Sequence, residues 1–585
     1  MSDLTNIMTF ELLPNEILIK CFGYLNAIDI FHSFDQLNSR FNKLIRIIPL
    51  YLSFENVRKR IFDQFCKKIL LNSEIKNQII SLKLSNINTY GQIDGFLSLF
   101  SLTEFSNLQS LVLNRIKITN LEKLQSILPL ISKLDSFCLI DYNYNLSSIL
   151  PSGKLQLLAV SKFTHHFNHI LKTYSIINLT ISKCSLNELY ELFSYIPMLK
   201  YLNIHNVWTY FEGYISKNNT ISNRRCAINL QKIIINNFQH EFQDFKIFVE
   251  QTPNIKYLTI CSNDKTMIDA YNWQTLIITS LSYLISFKFK FIYSRKDDDD
   301  DDNNNTIIDK FEQFQSNFWQ DQHFWNTEYV LDKNLAYVYT IPYISDTYML
   351  TPYTNRYCKK SINNLNIFNN VTNLILYEKI IRDKCEFYFS NVESLTLENV
   401  TDTLEYNNNY FLCVEHVQFL KTIVNLINLK HLNISSKCNI DVSPVLLEIL
   451  KQSLQLSSLT IDLFALSILF NNDELCRHLN KMINKLDVYK EYDDKLNEFH
   501  IIAKLCQVFS NLEQLKCNIC QLDSLLFILN NLSKLSFLCV VVSQIDEHFI
   551  DQFKHELLKL NIMHEIEYDY STHGMCKVDI CIWIS

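Results

Sequence analysis

From about residue 76 the apolar positions fall into one short grouping, apolar-x-x-apolar-x-apolar, that keeps returning, often just after Asn or Lys. Ile79/Leu82/Leu84, Leu108/Leu111/Leu113, Leu134/Phe137/Leu139 and Leu155/Leu158/Val160 are the first four copies. The middle residues continue at Leu179, Leu202, Ile233, Leu258 and Phe287, with gaps of 21 to 31 residues. They resume at Leu374, Leu395, Leu432, Leu459, Leu486, Leu515 and Leu538, with gaps of 21 to 37. Alternation over the last three positions predicts a short strand with one buried face. Between the strands, Leu121–Leu128 and Asn187–Phe193 carry apolar residues at helical spacing. A strand–helix unit with one apolar face is stable only when stacked on its neighbours. The expected architecture is therefore α/β, a solenoid with a parallel concave sheet and outer helices. Asn86, Asn114, Asn206, Asn236 and Asn263 follow strands, where Asn suits a turn.

The first fifty residues have a different rhythm. Pro14 stands where a helix should begin, and Ile17, Leu18, Cys21, Phe22 and Leu25 follow at helical spacing. Asn26 separates this helix from a second, Ala27 to about Gln36, and Pro49 ends a third that carries Phe41, Leu44, Ile45 and Ile48. Three short helices bury little by themselves, and the first is apolar on more than one face. Either a second chain covers it, or it packs on the following Phe62 and Phe65. The stretch 55–70 reads as a linking amphipathic helix.

Two interruptions break the pattern after residue 292. Asp297–Asp302 with Asn303–Asn305 is expected to be a disordered loop, because like charges repel; a calcium site would need spaced ligands that are missing here. Phe311, Phe314 and Phe318 then lie at helical spacing, and Tyr337–Ile341 alternates like a strand. The aromatic residues here are expected to seal the core of an enlarged repeat. Trp319, Trp325, Tyr329, Tyr337 and Tyr339 are also candidates for a partner-binding patch, since Trp and Tyr dominate binding hot spots. The segments are thus 1–50, a helical module; 51–75, a linker; 76–292, repeats; 293–369, an insertion; and 370–585, repeats again.

Composition narrows the function. The balance of 48% hydrophobic and 20% charged residues is that of a globular chain. Net charge is −7, which gives no electrostatic reason to expect nucleic-acid binding. Six glycines leave little for phosphate-binding loops, and no P-loop, dinucleotide fingerprint or nucleophile elbow occurs. Seventeen cysteines, scattered without regular spacing, argue for a reducing compartment, cytoplasmic or nuclear. The stretch Thr275–Phe287 is too short and too polar to span a membrane, and the N-terminus lacks a signal-peptide pattern. His165 and His169 share a helix face without a metalloprotease Glu, and read as surface residues. Cys517 and Cys520 have half-site spacing with no second pair, and Cys517 occupies a repeat core position. No metal, cofactor or catalytic residue is expected.

Leu13-Pro14-Asn15-Glu16-Ile17-Leu18 followed by Phe22-Gly23-Tyr24-Leu25 resembles the opening of an F-box; Asp29-Ile30 and Arg40-Phe41 resemble its later positions. Leu37-Asn38 stands where that family often has Val-Cys. The repeat spacing resembles leucine-rich repeats of roughly 20–29 residues. The resemblance implies a substrate-recognition subunit of a cullin–RING ubiquitin ligase. Leu13, Pro14, Ile17, Leu18, Phe22 and Leu25 would meet a Skp-type adaptor, which binds a cullin, and the repeats would hold an unidentified target. The alternative is a scaffold that holds an adaptor outside any ligase.

Overall fold

The computed structural model describes residues 10–584 apart from 88, 90, 141–153, 163–174, 209–225, 295–301, 359–366, 383–385, 399–412, 436–441, 490–498, 519–520, 543–546, 560–562 and 571–575. The protein is mixed α/β, with sheets rich in parallel strands and 18 α-helices among the described residues. It divides into two compact units. One runs to His240 and adds Asp244–Tyr257; the other is Leu258–Ser585 with Glu241–Gln243.

The first unit begins with three helices, α1 (Asn15–Phe22), α2 (Ala27–Phe34) and α3 (Ser39–Ile45). The strand β1 (Leu50–Ser53), the helix α4 (Lys59–Leu71) and β2 (Ile79–Ser85) come next. Then come β3 (Ser110–Asn114), β4 (Ser136–Ile140), β5 (Leu157–Lys162), β6 (Asn178–Cys184), β7 (Tyr201–Val207) and β8 (Lys232–Phe238). The eight strands lie side by side in chain order and pair in parallel. Their register puts Leu52, Leu82, Leu111, Phe137, Leu158, Leu179, Leu202 and Ile233 in one row. Every member of that row is buried. The middle residues of the sequence pattern are thus one continuous ridge. β1 corrects the expected start of the sheet at residue 76: Leu50, Leu52 and Phe54 alternate inward, so the segment read as a linker supplies the first strand.

In the second unit β9 (Tyr257–Ser262) neighbours β10 (Ser286–Ser294), and an antiparallel meander follows. It is made of β11 (Thr327–Leu331), β12 (Leu335–Thr340) and β14 (Asn355–Tyr357), with β12 pairing both β10 and β11. A ten-stranded sheet starts at β13 (Thr347–Leu350) and continues through β15 (Asn373–Tyr377), β16 (Ser394–Glu398), β17 (His431–Ile434) and β18 (Ser458–Asp462). It is extended by β19 (Lys485–Tyr489), β20 (Gln514–Cys517) and β21 (Phe537–Val542), all parallel. The hairpin β22 (Met563–Tyr570) and β23 (Cys576–Trp583) ends it, β23 running antiparallel to β21. Here the row is Tyr348, Leu374, Leu395, Leu432, Leu459, Leu486, Leu515 and Leu538. Its first member, Tyr348, is a strand position the leucine spacing did not announce.

Helices start where short polar side chains replace the missing backbone partners. Asp269 accepts from Asn272 N at 2.9 Å, Asn472 from Leu475 N at 3.0 Å, and Ser185 with Glu188 forms a capping box. A second polar device joins successive units. Asn107, Asn229, Asn391, Asn428 and Asn511 stand four positions before the row residues 111, 233, 395, 432 and 515. Each donates its side-chain amide to a backbone carbonyl of the preceding unit: Asn77, Pro197, Asn369, Ser390 and Asn480, at 2.6 to 3.1 Å. The Asn noticed ahead of the apolar grouping is therefore the link between units, satisfying carbonyls that turn away from the ladder.

The acidic run is corrected in part. Asp302 and Asn303–Asn305 begin the helix Asp302–Gln313 instead of belonging to a loop. The rest of the run, 297–301, lies outside the described residues.

Candidate interaction surface of the N-terminal module

Pro14 is the last non-helical residue before α1, and its carbonyl accepts from Ile17 N and Leu18 N, both at 3.1 Å. The helix then carries two apolar stripes. Leu18 and Phe22 are 0% exposed and Leu25 is half-buried. The Phe22 ring lies 5.1 Å from Phe34 and 6.2 Å from Phe41, and Phe10 closes the cluster 5.6 Å from Phe34. The second stripe is Ile17 and Cys21, spaced i, i+4 on one side of the helix, and Tyr24 follows in the turn just past its C-cap Gly23. Ile17 is 41% and Tyr24 91% exposed, Cys21 is half-buried, and Leu12 and Pro14 are exposed at the head of the helix.

This arrangement corrects the expected contact set. Leu18 and Phe22 cannot offer their side chains to a second chain, because they form the interior of the three-helix module itself. Pro14 and Ile17 remain at the surface, Leu13 and Leu25 are half-buried, and Tyr24 joins them, which the sequence reading passed over.

The lead-in to α1 is clamped from α3. Arg40 donates from Nε to Asn15 Oδ1 at 2.8 Å and from its terminal nitrogens to the carbonyls of Glu11 and Leu13. A planar guanidinium suits this, since its fixed fork holds several acceptors at once. Asn38 caps α3 by accepting from Phe41 N at 2.9 Å and donates to Glu11 Oε1.

The other side of the module is covered by its own chain. Asn26 makes a reciprocal pair with the Ser53 backbone, at 2.7 and 3.0 Å. Phe31 packs edge-on against Phe65 at 5.6 Å, Phe62 lies 4.8 Å from Phe54, and Lys68 pairs with Asp35. Gln78 donates to the carbonyls of Ile45 and Ile48 at 2.7 and 3.0 Å. The expectation that a second polypeptide completes this module is therefore narrowed. The downstream chain covers α2 and α3, and the outer stripe of α1 is what stays open.

The aromatic insertion is interior, not surface. Trp319, Trp325, Tyr329, Tyr337 and Tyr339 are all buried, between 0% and 8% exposed, which removes them as a partner-binding patch. Phe289 stacks on Phe291 at 4.7 Å and meets Phe314 at 5.0 Å and Trp319 at 5.8 Å, while Trp325 reaches Phe287 at 5.8 Å. Tyr339 meets Tyr343 at 5.0 Å, and Tyr343 meets Tyr348 at 5.1 Å. The bulky rings fill what ordinary repeat leucines would leave empty. Lys290 donates to Tyr343 Oη and lies over that ring, and burial pulls its pKa below the usual lysine range.

Strand positions between the buried rows carry mixed polar residues. In the second unit His431 stands between Ser394 and Ser458, with Lys485 one strand further. Burial first, then the Lys485 charge, pull the His431 pKa below its ordinary value. Between the helices Asp473–Met482 and Phe499–Val508 lies an open cleft of about 570 Å³, lined by Arg477, Lys481 and Lys504 with Asp473 and Asn480. Cys413 and His416 approach within 3.1 Å, but as a cap: the Cys413 backbone N–H donates to His416 Nδ1 at 3.0 Å, and the thiol faces the first turn of the helix Val414–Ile423. Among the described residues no three His, Cys, Asp or Glu side chains gather as a metal site, and no helix is long and apolar enough to cross a membrane. His165, His169 and Cys520 lie outside the described residues; Cys517 is buried in its row, and burial pushes its thiol far up.

No protein-family model matches the chain, and no curated protein sequence matches it.

Proposed function

We propose that the chain is a substrate-recognition subunit of a cullin–RING ubiquitin ligase, docking a Skp-type adaptor on the outer stripe of α1 and holding a target protein on its repeats. The observation that carries this reading is the exposed Ile17 on α1, with exposed Tyr24 in the turn after it, while Leu18 and Phe22 of the same helix already supply the module's own core. A short helix with two apolar stripes keeps one for a partner. The Arg40 clamp supports the reading as well, because a lead-in fixed before binding loses less entropy when an adaptor docks. The F-box-like order of Leu13, Pro14, Ile17 and Leu25 agrees with it, and so does the strand-by-strand row expected of a leucine-rich-repeat solenoid. In this arrangement the chain makes and breaks no bonds itself; it raises the effective concentration of the target near the charged enzyme.

The test is co-purification of the full chain with a Skp-type adaptor and a cullin. Ile17→Asp with Tyr24→Ala should weaken adaptor capture at least about 30-fold, the loss of a hot spot worth about 2 kcal/mol, while leaving the fold intact. Phe22→Ala is the contrast. It empties a fully buried site, should cost about 3–5 kcal/mol, and should unfold the module instead of trimming its surface. Adaptor capture unchanged in the double variant sinks the interface. Adaptor without cullin moves the reading to a scaffold outside any ligase.

A further inference from the structure

The seam between β21 and the closing hairpin holds a pair of thiols that the proposed function does not use. Cys539 on β21 and Cys581 on β23 are direct partners across an antiparallel pair, and their sulfurs are 3.5 Å apart. Ile584 N donates to Ser536 O at 2.8 Å, three positions along the same pairing. Antiparallel partners alternate between hydrogen-bonded and non-hydrogen-bonded positions, so Cys539 and Cys581 occupy a non-hydrogen-bonded one, where side chains stand closest and Cα atoms are about 4.5 Å apart. That separation lies inside the range of about 4.4–6.8 Å that a disulfide accepts, near its short end.

We infer that Cys539 and Cys581 are a reversible oxidation site, closed to a disulfide by hydrogen peroxide. The two thiols divide the work by access: Cys581 is half-buried and Cys539 is 4% exposed. The Cys581 thiolate attacks one oxygen of the peroxide. The O–O bond breaks, Cys581 becomes a sulfenic acid, and the leaving hydroxide takes a proton to become water. The Cys539 sulfur then attacks the sulfenic sulfur, the S–O bond breaks, and a second water leaves with the Cys539 proton. With hydrogen peroxide the sum is two thiols oxidised and one peroxide reduced to two waters, and a dithiol reductant restores the start.

The bond would join the last parallel strand to β23. β22 pairs with β23 at the end of the sheet, so one linkage secures the whole hairpin. The other cysteines provide controls. Cys66 is buried in α4, and burial with the nearby Asp63 pushes its thiol up to about 12, so it should stay unmodified in the folded chain.

The experiment oxidises the reduced full-length chain with hydrogen peroxide, blocks remaining thiols with N-ethylmaleimide, and maps peptides without reduction. A linked pair containing Cys539 and Cys581, released by dithiothreitol, supports the assignment. Both cysteines carrying separate maleimide labels after oxidation would overturn it, as would Cys581 driven to sulfinic acid unlinked, or either cysteine bonded elsewhere. Cys581→Ser should lose the linked peptide; Cys539→Ala repeats the test from the other side, and circular dichroism confirms that each variant keeps the reduced wild type's fold. Amides of β22 and β23 should exchange more slowly with deuterium in the oxidised chain. Equal exchange in both states rejects the securing role.

Discussion

The most exacting prediction concerns an ion pair sealed inside the meander. Glu328 on β11 has a fully buried side chain, and Arg356 on β14 is 9% exposed. Arg356 Nε donates to Glu328 Oε2 at 2.8 Å and a terminal nitrogen donates to Oε1, a two-pronged contact; Tyr339 Oη donates to Oε2 at 2.8 Å. Burial works against the guanidinium charge, and the Glu328 carboxylate outweighs it, so the Arg356 pKa stands above its ordinary value. Arg356→Met keeps most of the side-chain volume and removes the charge. The carboxylate is then left in an apolar site with Tyr339 as its remaining named donor. Stranding one member of a buried pair costs about 3–5 kcal/mol, a factor of roughly 100 to several thousand in the folding equilibrium. Adding Glu328→Gln removes the stranded charge and leaves an amide oxygen for Tyr339, so the double variant should recover at least about 2 kcal/mol. Urea unfolding of the full chain, followed by tryptophan fluorescence, reports on this region because Trp319 and Trp325 pack beside the meander. Deuterium exchange of β11 and β12 localises the loss. A cost for Arg356→Met below about 1 kcal/mol, or a double variant as weak as the single one, would refute the reasoning.

The Asn links between units predict a position-specific cost. Asn511→Ala removes the donation to Asn480 O and the acceptor that Lys534 uses at 2.5 Å, and should cost about 1–2 kcal/mol. Asn531→Ala loses one exposed bond within its own helix and should stay within about 0.5 kcal/mol, so equal urea midpoints for the two would remove the link from the account. Cys66 predicts a pH dependence. Its thiol is raised from 9.0 to about 12 in the folded chain, so the folded state holds the proton more tightly. The stability this contributes is fully present below about pH 9 and falls as pH rises toward about 12. The stability difference between wild type and Cys66→Ala should therefore shift against the wild type above pH 9; a flat difference from pH 8 to 10.5 sinks the idea.

What the sequence determined by itself is the repeated unit. Every strand has to bury the same face against its neighbours, so Leu82, Leu111, Leu432 and Leu515 recur at intervals that survive irregular loops, and their register could be written down from spacing alone. The α1 start at Pro14 and the helix and strand periods of the insertion were legible for the same reason: they are set by neighbours close in the chain. Three things needed the tertiary structure. β1 carries the row residue Leu52 in a segment that local charge made look like a linker, and only the pairing of Leu52 with Leu82 identifies it. Trp319 and Tyr339 have side chains equally fit for a surface hot spot or a core, and what decided between them was the packing of Phe289 and Tyr343 around them. On α1, Ile17 and Leu18 are adjacent and equally greasy; Leu18 became core and Ile17 was left open. Spacing along the chain reports which faces must be buried, whereas the identity of what buries them depends on residues tens of positions away, as Arg356 with Glu328 and Cys581 with Cys539 both illustrate.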